Sequence, residues 1–144
     1  GLPGSTQDPA RFPLGIALPE DQWLIRSVVG IEGGSLRLGG DLAAGTEVRV
    51  MTASMNGLQQ ATQEAMATVM KRLEGQTPSA LLVVESAARW GVQNGTARRE
   101  WEMIREQAPE GTPLLGWLTA SELVPAGSGQ VALQNGCVIV IALS

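Results

Sequence analysis

The side chains that could do chemistry in this sequence are carboxylates, arginines and one thiol, because histidine and tyrosine are both absent. Histidine is the residue that most often transfers protons near neutral pH and most often binds metal ions. A Ser-His-Asp or Cys-His catalytic site is therefore excluded, and Cys137 has no second thiol or imidazole with which to form a zinc site. We expect no metal ion, no cofactor and no enzyme activity, and we expect a protein that binds something.

Three carboxylates, Asp41, Glu85 and Glu122, lie at the ends of predicted strands. Such residues are usually solvated or bonded to a turn, although binding residues also concentrate in these loops. An enzyme that uses Glu85 or Glu122 stays open as a third alternative. It predicts a glutamate with a strongly raised pKa in a closed pocket.

A charge-rich stretch follows the middle of the chain, and helical spacing allows ion pairs along it. We interpret it as the solvated face of a helix, formed by Arg98, Arg99, Glu100, Glu102, Arg105 and Glu106. The preceding segment from Gly91 to Gly95 lacks the glycine patterns of nucleotide-binding loops and indicates a plain turn.

The remaining unusual residues have structural interpretations. Cys137 begins an apolar run and is predicted to be a small, buried strand residue. Trp101 and Trp117 are predicted core residues, whereas Trp90 could line the mouth of a pocket.

Composition limits the class of protein. The chain has 144 residues, of which 44% are hydrophobic, and this is typical of one globular domain. A net charge of -4 with scattered arginines argues against nucleic acid and acidic membranes as partners. No apolar run approaches the length of a membrane span, and one cysteine cannot form a disulfide within the chain. We therefore expect a cytoplasmic protein without membrane insertion.

The hydrophobic pattern predicts an α/β (α+β) domain with a mixed, largely antiparallel sheet, two helices and the order βββαβαββ. Three strands occupy Trp23 to Met51, with a tight turn at Gly33-Gly34. A long helix follows around Leu58 to Leu73, with Ser54 or Asn56 as its N-cap and Gly75 at its end. The later elements are a central strand at 80–84, a helix that starts at Thr96 and runs toward Ala108, and strands at 113–118, 131–133 and 137–143. Residues 1–11 are predicted to be a flexible linker, a processed start or an expression remnant, and residues 12–144 a single domain.

Five segments in order carry a resemblance to a known family. They are Phe12-Pro-Leu-Gly-Ile16 with Trp23 to Ile31, Gly40 to Met51, Ala80 to Arg89, Gly116 to Pro125, and Leu133 to Cys137. Together they resemble the carboxy-terminal (FIST_C) domain of the FIST family. The resemblance implies a sensory module of signal transduction that binds small ligands such as amino acids, without known catalysis.

The resemblance also implies a ligand-binding set. Four members match the family pattern, namely Arg26, Arg89, Glu122 and Asn135, and the set is completed by Ser86 and Gln134. Arginine and glutamate are natural partners of a carboxylate and an ammonium group. For Arg26, an internal ion pair is an equally acceptable interpretation.

The sequence departs from the family pattern at Ser86, Ser121, Gln134 and Cys137, where the family has cysteine, glycine, histidine and threonine. Two functional hypotheses follow. The first is a small-ligand sensory domain, and the alternative is a protein-interaction or assembly module whose pocket is empty. A homo-oligomer is compatible with either hypothesis.

Overall fold

The computed structural model describes residues 9–19, 21–93, 98–125 and 131–144. In this part of the chain, a 3-10 helical turn (Pro9–Arg11) comes first, at the end of the segment expected to be flexible. Five strands follow: β1 Leu14–Ala17, β2 Trp23–Arg26, β3 Val28–Glu32, β4 Ser35–Leu38 and β5 Arg49–Val50. Helix α1 (Met55–Arg72), strand β6 (Ala80–Ser86) and helices α2 (Ala87–Val92) and α3 (Arg98–Gln107) follow. The last four strands are β7 Leu114–Thr119, β8 Glu122–Pro125, β9 Val131–Gln134 and β10 Val138–Leu143.

Helix α1 has the N-cap and the end that the sequence predicts. The Ser54 hydroxyl accepts a hydrogen bond from the backbone N–H of Gly57 at 3.1 Å, which satisfies one of the amides left free at a helix start. The chain leaves the helix through Glu74 and Gly75, both with positive φ. Only Gly75 takes this conformation without a steric cost.

The central sheet has the strand order β10-β6-β7. Strand β6 pairs antiparallel with β10 and parallel with β7. Its face toward α1 and α3 forms the core, in which Leu81 and Val83 meet Met66 of α1 and Ile104 of α3. Because β6 and β7 are parallel, their carboxyl ends lie at the same edge of the sheet, which is a common position for ligand sites.

Three smaller sheets accompany the central sheet. One has the order β2-β1-β5, and the other two are the antiparallel pairs β3-β4 and β8-β9. The β3-β4 turn contains Gly33 and Gly34, both with positive φ, as the sequence predicts. Contacts between β2 and β9 join the early strands to the late ones.

The predicted class, a mixed and largely antiparallel α+β fold, is confirmed. The sequence predicts one sheet, but in the described ranges the strands form four sheets. The predicted first strand is two strands, β2 and β3, separated at Ser27, and the segment at β8 forms an additional strand. The turn after β6 adds the short helix α2. The predicted N-cap Thr96 lies outside the described residues.

The prediction that Trp117 is a core residue is wrong. In the register of β6 with β7, Val83 lies beside Gly116 and Val84 beside Trp117. The glycine therefore faces the helices and the tryptophan faces away from them, with its side chain largely exposed. Trp101 is half-buried against the core, over Gly116. In the part of the chain described, no helix is both long and apolar enough to cross a membrane.

Candidate functional site

A cavity of about 200 Å³ lies where α1, α2 and β2 meet the loop between β9 and β10. We call it the Arg89 cavity, after the charged side chain in its wall. Apolar residues make up much of the lining, and Ser27, Arg89 and Asn135 supply polar side chains. Its lining residues are Ala10, Pro13, Ile25, Ser27, Met51, Thr52, Ala53, Leu58, Ala88, Arg89, Val92, Asn135 and Gly136.

Arg89 connects four parts of the fold from an almost fully buried position. Its guanidinium donates hydrogen bonds to the carbonyl oxygens of Leu58 (2.8 Å) and Gly136 (3.1 Å) and to the hydroxyl of Thr62 (3.0 Å). It also forms an ion pair with Glu100 of α3. The side chain therefore links α1, α2, α3 and the loop before β10.

Glu100 is the carboxylate that neutralises Arg89, and it is only 1% exposed. Besides the arginine, it accepts hydrogen bonds from Thr62 (2.5 Å) and from the side-chain amide of Gln93. Burial alone would raise the pKa of Glu100, but the hydrogen bonds from Arg89 and Thr62 and the charge of Arg89 together lower it. Glu100 is therefore ionised at neutral pH.

The prediction that Glu100 belongs to a solvated helix face is wrong. The residue lies one helical turn before Ile104, on the side of α3 that packs into the molecule. Buried Arg89 compensates the carboxylate charge, which explains why a glutamate is tolerated there. The spacing of four residues from Ile104 is the signal that could have identified it.

Glu85 is a second buried carboxyl group in the same cluster. Burial raises the pKa of Glu85 to about 8, and the hydrogen bond and negative charge of Glu100 act in the same direction. The charge of Arg89 and the hydrogen bond from Gln93 oppose the increase. At neutral pH the two carboxyls therefore share one proton and one negative charge, beside one arginine.

Asn135 also lines the cavity, and both the oxygen and the nitrogen of its amide form hydrogen bonds. Its Oδ1 accepts the backbone N–H of Ser27 at 3.1 Å, and its Nδ2 donates to the Ser121 hydroxyl at 3.0 Å and to the Ala120 carbonyl at 3.3 Å. Ser86 is fully buried, and its hydroxyl accepts the backbone N–H of Gly136 at 3.0 Å. The structure thus brings Ser86, Arg89 and Asn135 together around Gly136.

Arg26 and Gln134 lie behind the wall and do not line the cavity. The amide of Gln134 accepts the N–H of Ile25 and donates to the carbonyl of Trp23, so that it acts as a strand partner for β2. The buried guanidinium of Arg26 donates to the carbonyl oxygens of Asp41, Ile25 and Leu133. The internal ion pair considered for Arg26 requires a carboxylate, but the partners of its guanidinium are these carbonyl oxygens.

Glu122 is buried at the start of β8 and does not line the Arg89 cavity either. One carboxylate oxygen accepts the Thr119 hydroxyl at 2.6 Å, and the other, Oε2, has no hydrogen-bond partner within the described ranges. Nearby Cys137 is half-buried. Burial raises the pKa of the Cys137 thiol to about 11, and the charge of Glu122 adds to this effect. The thiol is therefore protonated, and unreactive as a nucleophile, at neutral pH.

The arrangement is suited to holding a small molecule. Among the described residues, no cluster of three or more potential metal ligands occurs. The raised pKa of Glu85 matches one part of the enzymatic alternative, but burial and the neighbouring Glu100 account for it. Trp90, a predicted pocket residue, is exposed on α2 and does not line the Arg89 cavity.

Comparison with known proteins identifies one relationship. The family model described as the FIST C domain matches residues 2–125, which are most of the chain, whereas the segment from Leu133 to Cys137 lies beyond the match. Neither the curated proteins nor the solved structures contain a match. The matched residues include β1 to β8 and four of the six predicted site residues, and the chain belongs to the FIST C domain family.

Proposed function

We propose that this chain is a non-catalytic sensory domain of intracellular signal transduction, and that it binds one small ligand in the Arg89 cavity. FIST C domains form a family of sensory domains implicated in signal transduction. The observation that carries the proposal is the cavity itself, because it lies beside the carboxyl ends of β6 and β7 and has Arg89 and Asn135 in its wall. The proposed setting is cytoplasmic, in keeping with a chain whose one cysteine forms no internal disulfide.

The size and lining of the cavity favour an amino acid or a related metabolite. Pockets for drug-sized ligands measure about 300–1,000 Å³, so a cavity of about 200 Å³ suits a smaller molecule. Its apolar residues, such as Met51 and Leu58, suit a short aliphatic or thioether side chain. Arg89 and Asn135 provide polar partners for the ligand's charged end.

The other four predicted residues have distinct roles in this proposal. Ser86, Gln134 and Arg26 position the wall through their bonds to Gly136, Ile25 and neighbouring carbonyl groups. Glu122 does not line the cavity and makes no ligand contact in this proposal, although it retains a buried carboxylate oxygen without a described partner.

The test is a thermal-shift screen with amino acids and related metabolites on a matched pair of variants. Ala88→Leu adds a bulky side chain at a residue that lines the Arg89 cavity. Ala87→Leu makes the same change at the neighbouring exposed position of α2 and is the control. A ligand that binds only the folded state raises its melting temperature with increasing concentration.

We expect a ligand that stabilises the wild type and Ala87→Leu but not Ala88→Leu. If no compound shifts the melting temperature of the wild type, the sensory proposal fails. If Ala88→Leu responds like the wild type, the ligand binds elsewhere and the assignment of the cavity is wrong.

The second candidate is the protein-interaction or assembly module. It is favoured by large apolar side chains that are exposed on several strands, including Leu115 on β7 and Leu123 on β8. Exposed apolar patches of this kind mark interaction surfaces. This candidate predicts stable association of the chain with a protein in the absence of any small molecule.

A further inference from the structure

The central sheet has one covered face and one exposed face. Helices α1 and α3 pack on the face that contains Leu81 and Val83. On the other face, the registers of β6 with β10 and β7 align apolar side chains in rows across the three strands. We call this surface the open face, and its residues are Leu82, Val84, Leu115, Trp117, Ile139, Ile141 and Leu143.

The two complete rows of the open face contain only apolar side chains. Ile139, Val84 and Trp117 form the first row, and the second contains Ile141, Leu82 and Leu115. The four most exposed members retain between 43% and 61% of their accessible surface: Leu115 61%, Trp117 48%, Ile141 43% and Leu143 43%. The water-exposed surface is thus continuous and uncharged.

A sheet face that stays in water normally carries polar side chains. Here the described elements cover one face only, and the complete rows of the other face are apolar. A charged or polar partner would leave its own groups without bonds against the open face, and this would cost free energy. The partner surface must therefore be apolar.

We propose that the open face is the interface of a homodimer, in which a second copy of this chain packs its own open face on the first. The same patch then contacts itself around a two-fold axis, as in most homodimers. This proposal names the partner that the interaction-module candidate leaves open. It does not depend on ligand binding in the Arg89 cavity.

The exposed area is consistent with this occupant. A large apolar side chain has roughly 200 Å² of accessible surface when fully exposed. At that size the four most exposed residues of the open face leave about 400 Å² accessible to water, and the three half-buried residues add to this area. A standard interface removes about 800 Å² from each partner, with an apolar centre and a polar rim. The open face provides the apolar centre of such an interface, so we expect a dimer that dissociates on dilution.

The distribution of side-chain sizes suits one orientation of the two copies. The bulkiest residue, Trp117, lies on the β7 side of the sheet, and Ile139 and Ile141 lie on the β10 side. A two-fold axis parallel to β6 places the β7 side of each copy over the β10 side of the other. Each Trp117 then packs on the isoleucines of the partner copy, and two tryptophans do not have to occupy the same space.

The experiment is a sedimentation-velocity series of the full chain over a wide concentration range, with two glutamate variants. Leu115→Glu places a charge at the most exposed side chain of the open face. Leu123→Glu makes the same change on β8, at a leucine that is more exposed and lies outside the open face. Circular dichroism establishes that both variants are folded.

We expect the wild type and Leu123→Glu to convert from monomer to dimer as concentration rises, and Leu115→Glu to remain a monomer. A wild type that stays monomeric at every concentration overturns the proposal. It is also overturned if Leu115→Glu dimerises like the wild type, or if Leu123→Glu disrupts the dimer equally.

If Leu115→Glu does not fold, Ile141→Glu on β10 replaces it. A further measurement needs only conservative changes: acrylamide quenching of the wild type and of Trp117→Phe, each at low and high concentration. The proposal predicts that quenching of the wild type weakens at high concentration and that the change is smaller in Trp117→Phe. Equal behaviour of the two proteins contradicts it.

Discussion

Arg89 and Glu100 form an ion pair in which the two side chains are 2% and 1% exposed. The arginine belongs to α2 and the glutamate to α3. Thr62 of α1 accepts a hydrogen bond from Arg89 and donates one to Glu100, which connects the pair to α1. A buried pair of this kind stabilises the fold only while both partners are present, because either charge alone is costly to bury. The wall of the Arg89 cavity therefore depends on a carboxylate that does not itself line the cavity.

The first prediction concerns removal of this carboxylate. Glu100→Gln removes the nearest carboxylate from buried Arg89 and leaves the more distant Glu85, 3.9 Å from Nε, to compensate its charge, so we expect the free energy of unfolding to fall by up to about 3–5 kcal/mol. Glu102→Gln is the control on the same helix, since Glu102 pairs with Arg98 on the exposed surface and contributes less than about 1 kcal/mol. Urea unfolding measures both. Equal losses in the two variants would contradict the role assigned to Glu100.

The second prediction is a pH dependence caused by Glu85. Its pKa is 4.5 in a model peptide and about 8 in the folded chain. Between these values the folded state retains a proton that the unfolded state has released, so the contribution of Glu85 to stability falls as the pH rises through this window. The lowered pKa of Glu100 acts in a different range, because its contribution is lost only as the pH falls toward the acid end.

Glu85→Gln tests this dependence, because glutamine is uncharged like the protonated glutamate. In Glu85→Gln this group no longer titrates, so we expect the melting temperature to change little between pH 5 and pH 9. The melting temperature of the wild type decreases over the same range. Glu106→Gln, at an exposed position of α3, retains the wild-type decrease. A wild-type melting temperature that rises steadily from pH 5 to pH 9, or the same slope in Glu85→Gln, would refute the proton shared by the two carboxyls.

The third prediction separates positioning from ligand contact at Asn135. Its amide forms hydrogen bonds to Ser27, between β2 and β3, and to Ala120 in the turn before β8. Asn135→Ala leaves several of these groups without partners, each at about 1–3 kcal/mol, so we expect a loss of at least about 2 kcal/mol without any ligand. Asn56→Ala, at an exposed position in the first turn of α1, should cost much less. Chemical denaturation of the ligand-free proteins decides between these outcomes.

The fourth prediction concerns Gly116, which lets the Trp101 ring contact strand β7. A Cβ atom at this position would lie 2.6 Å from Cζ3 of Trp101 and 3.0 Å from the backbone oxygen of Val83. Gly116→Ala should therefore destabilise the fold by about 1–3 kcal/mol through overpacking. In Gly30→Ala, the control, the nearest neighbour is the flexible side chain of Arg37 at 3.4 Å, and we expect a smaller change. A neutral Gly116→Ala would show that Trp101 does not depend on this close contact.

The sequence predicts correctly those helix caps and turns that depend on only a few neighbouring residues. Ser54 caps α1 with its own hydroxyl, and the glycines at 33, 34 and 75 act through their positive φ, so each role depends only on neighbouring residues. Trp117 shows the limit of this approach. In an uninterrupted apolar run, alternation does not tell which side faces the core, and only pairing with β6 decides it.

The candidate site was partly predictable for the same reason. Three of the six predicted residues, Ser86, Arg89 and Asn135, occupy neighbouring positions around Gly136. Glu100 was missed because a glutamate in a charged helix usually faces water, and its burial depends on an arginine from another element. Whether the six predicted residues contact a ligand remains a prediction for the experiments above.

The most direct test of the central claim is native mass spectrometry of the chain, titrated with the compound that gives the largest thermal shift. We expect one bound molecule per chain for the wild type and for Ala87→Leu, and no binding to Ala88→Leu. Undiminished binding to Ala88→Leu, or no complex with the wild type, would contradict a ligand site in the Arg89 cavity.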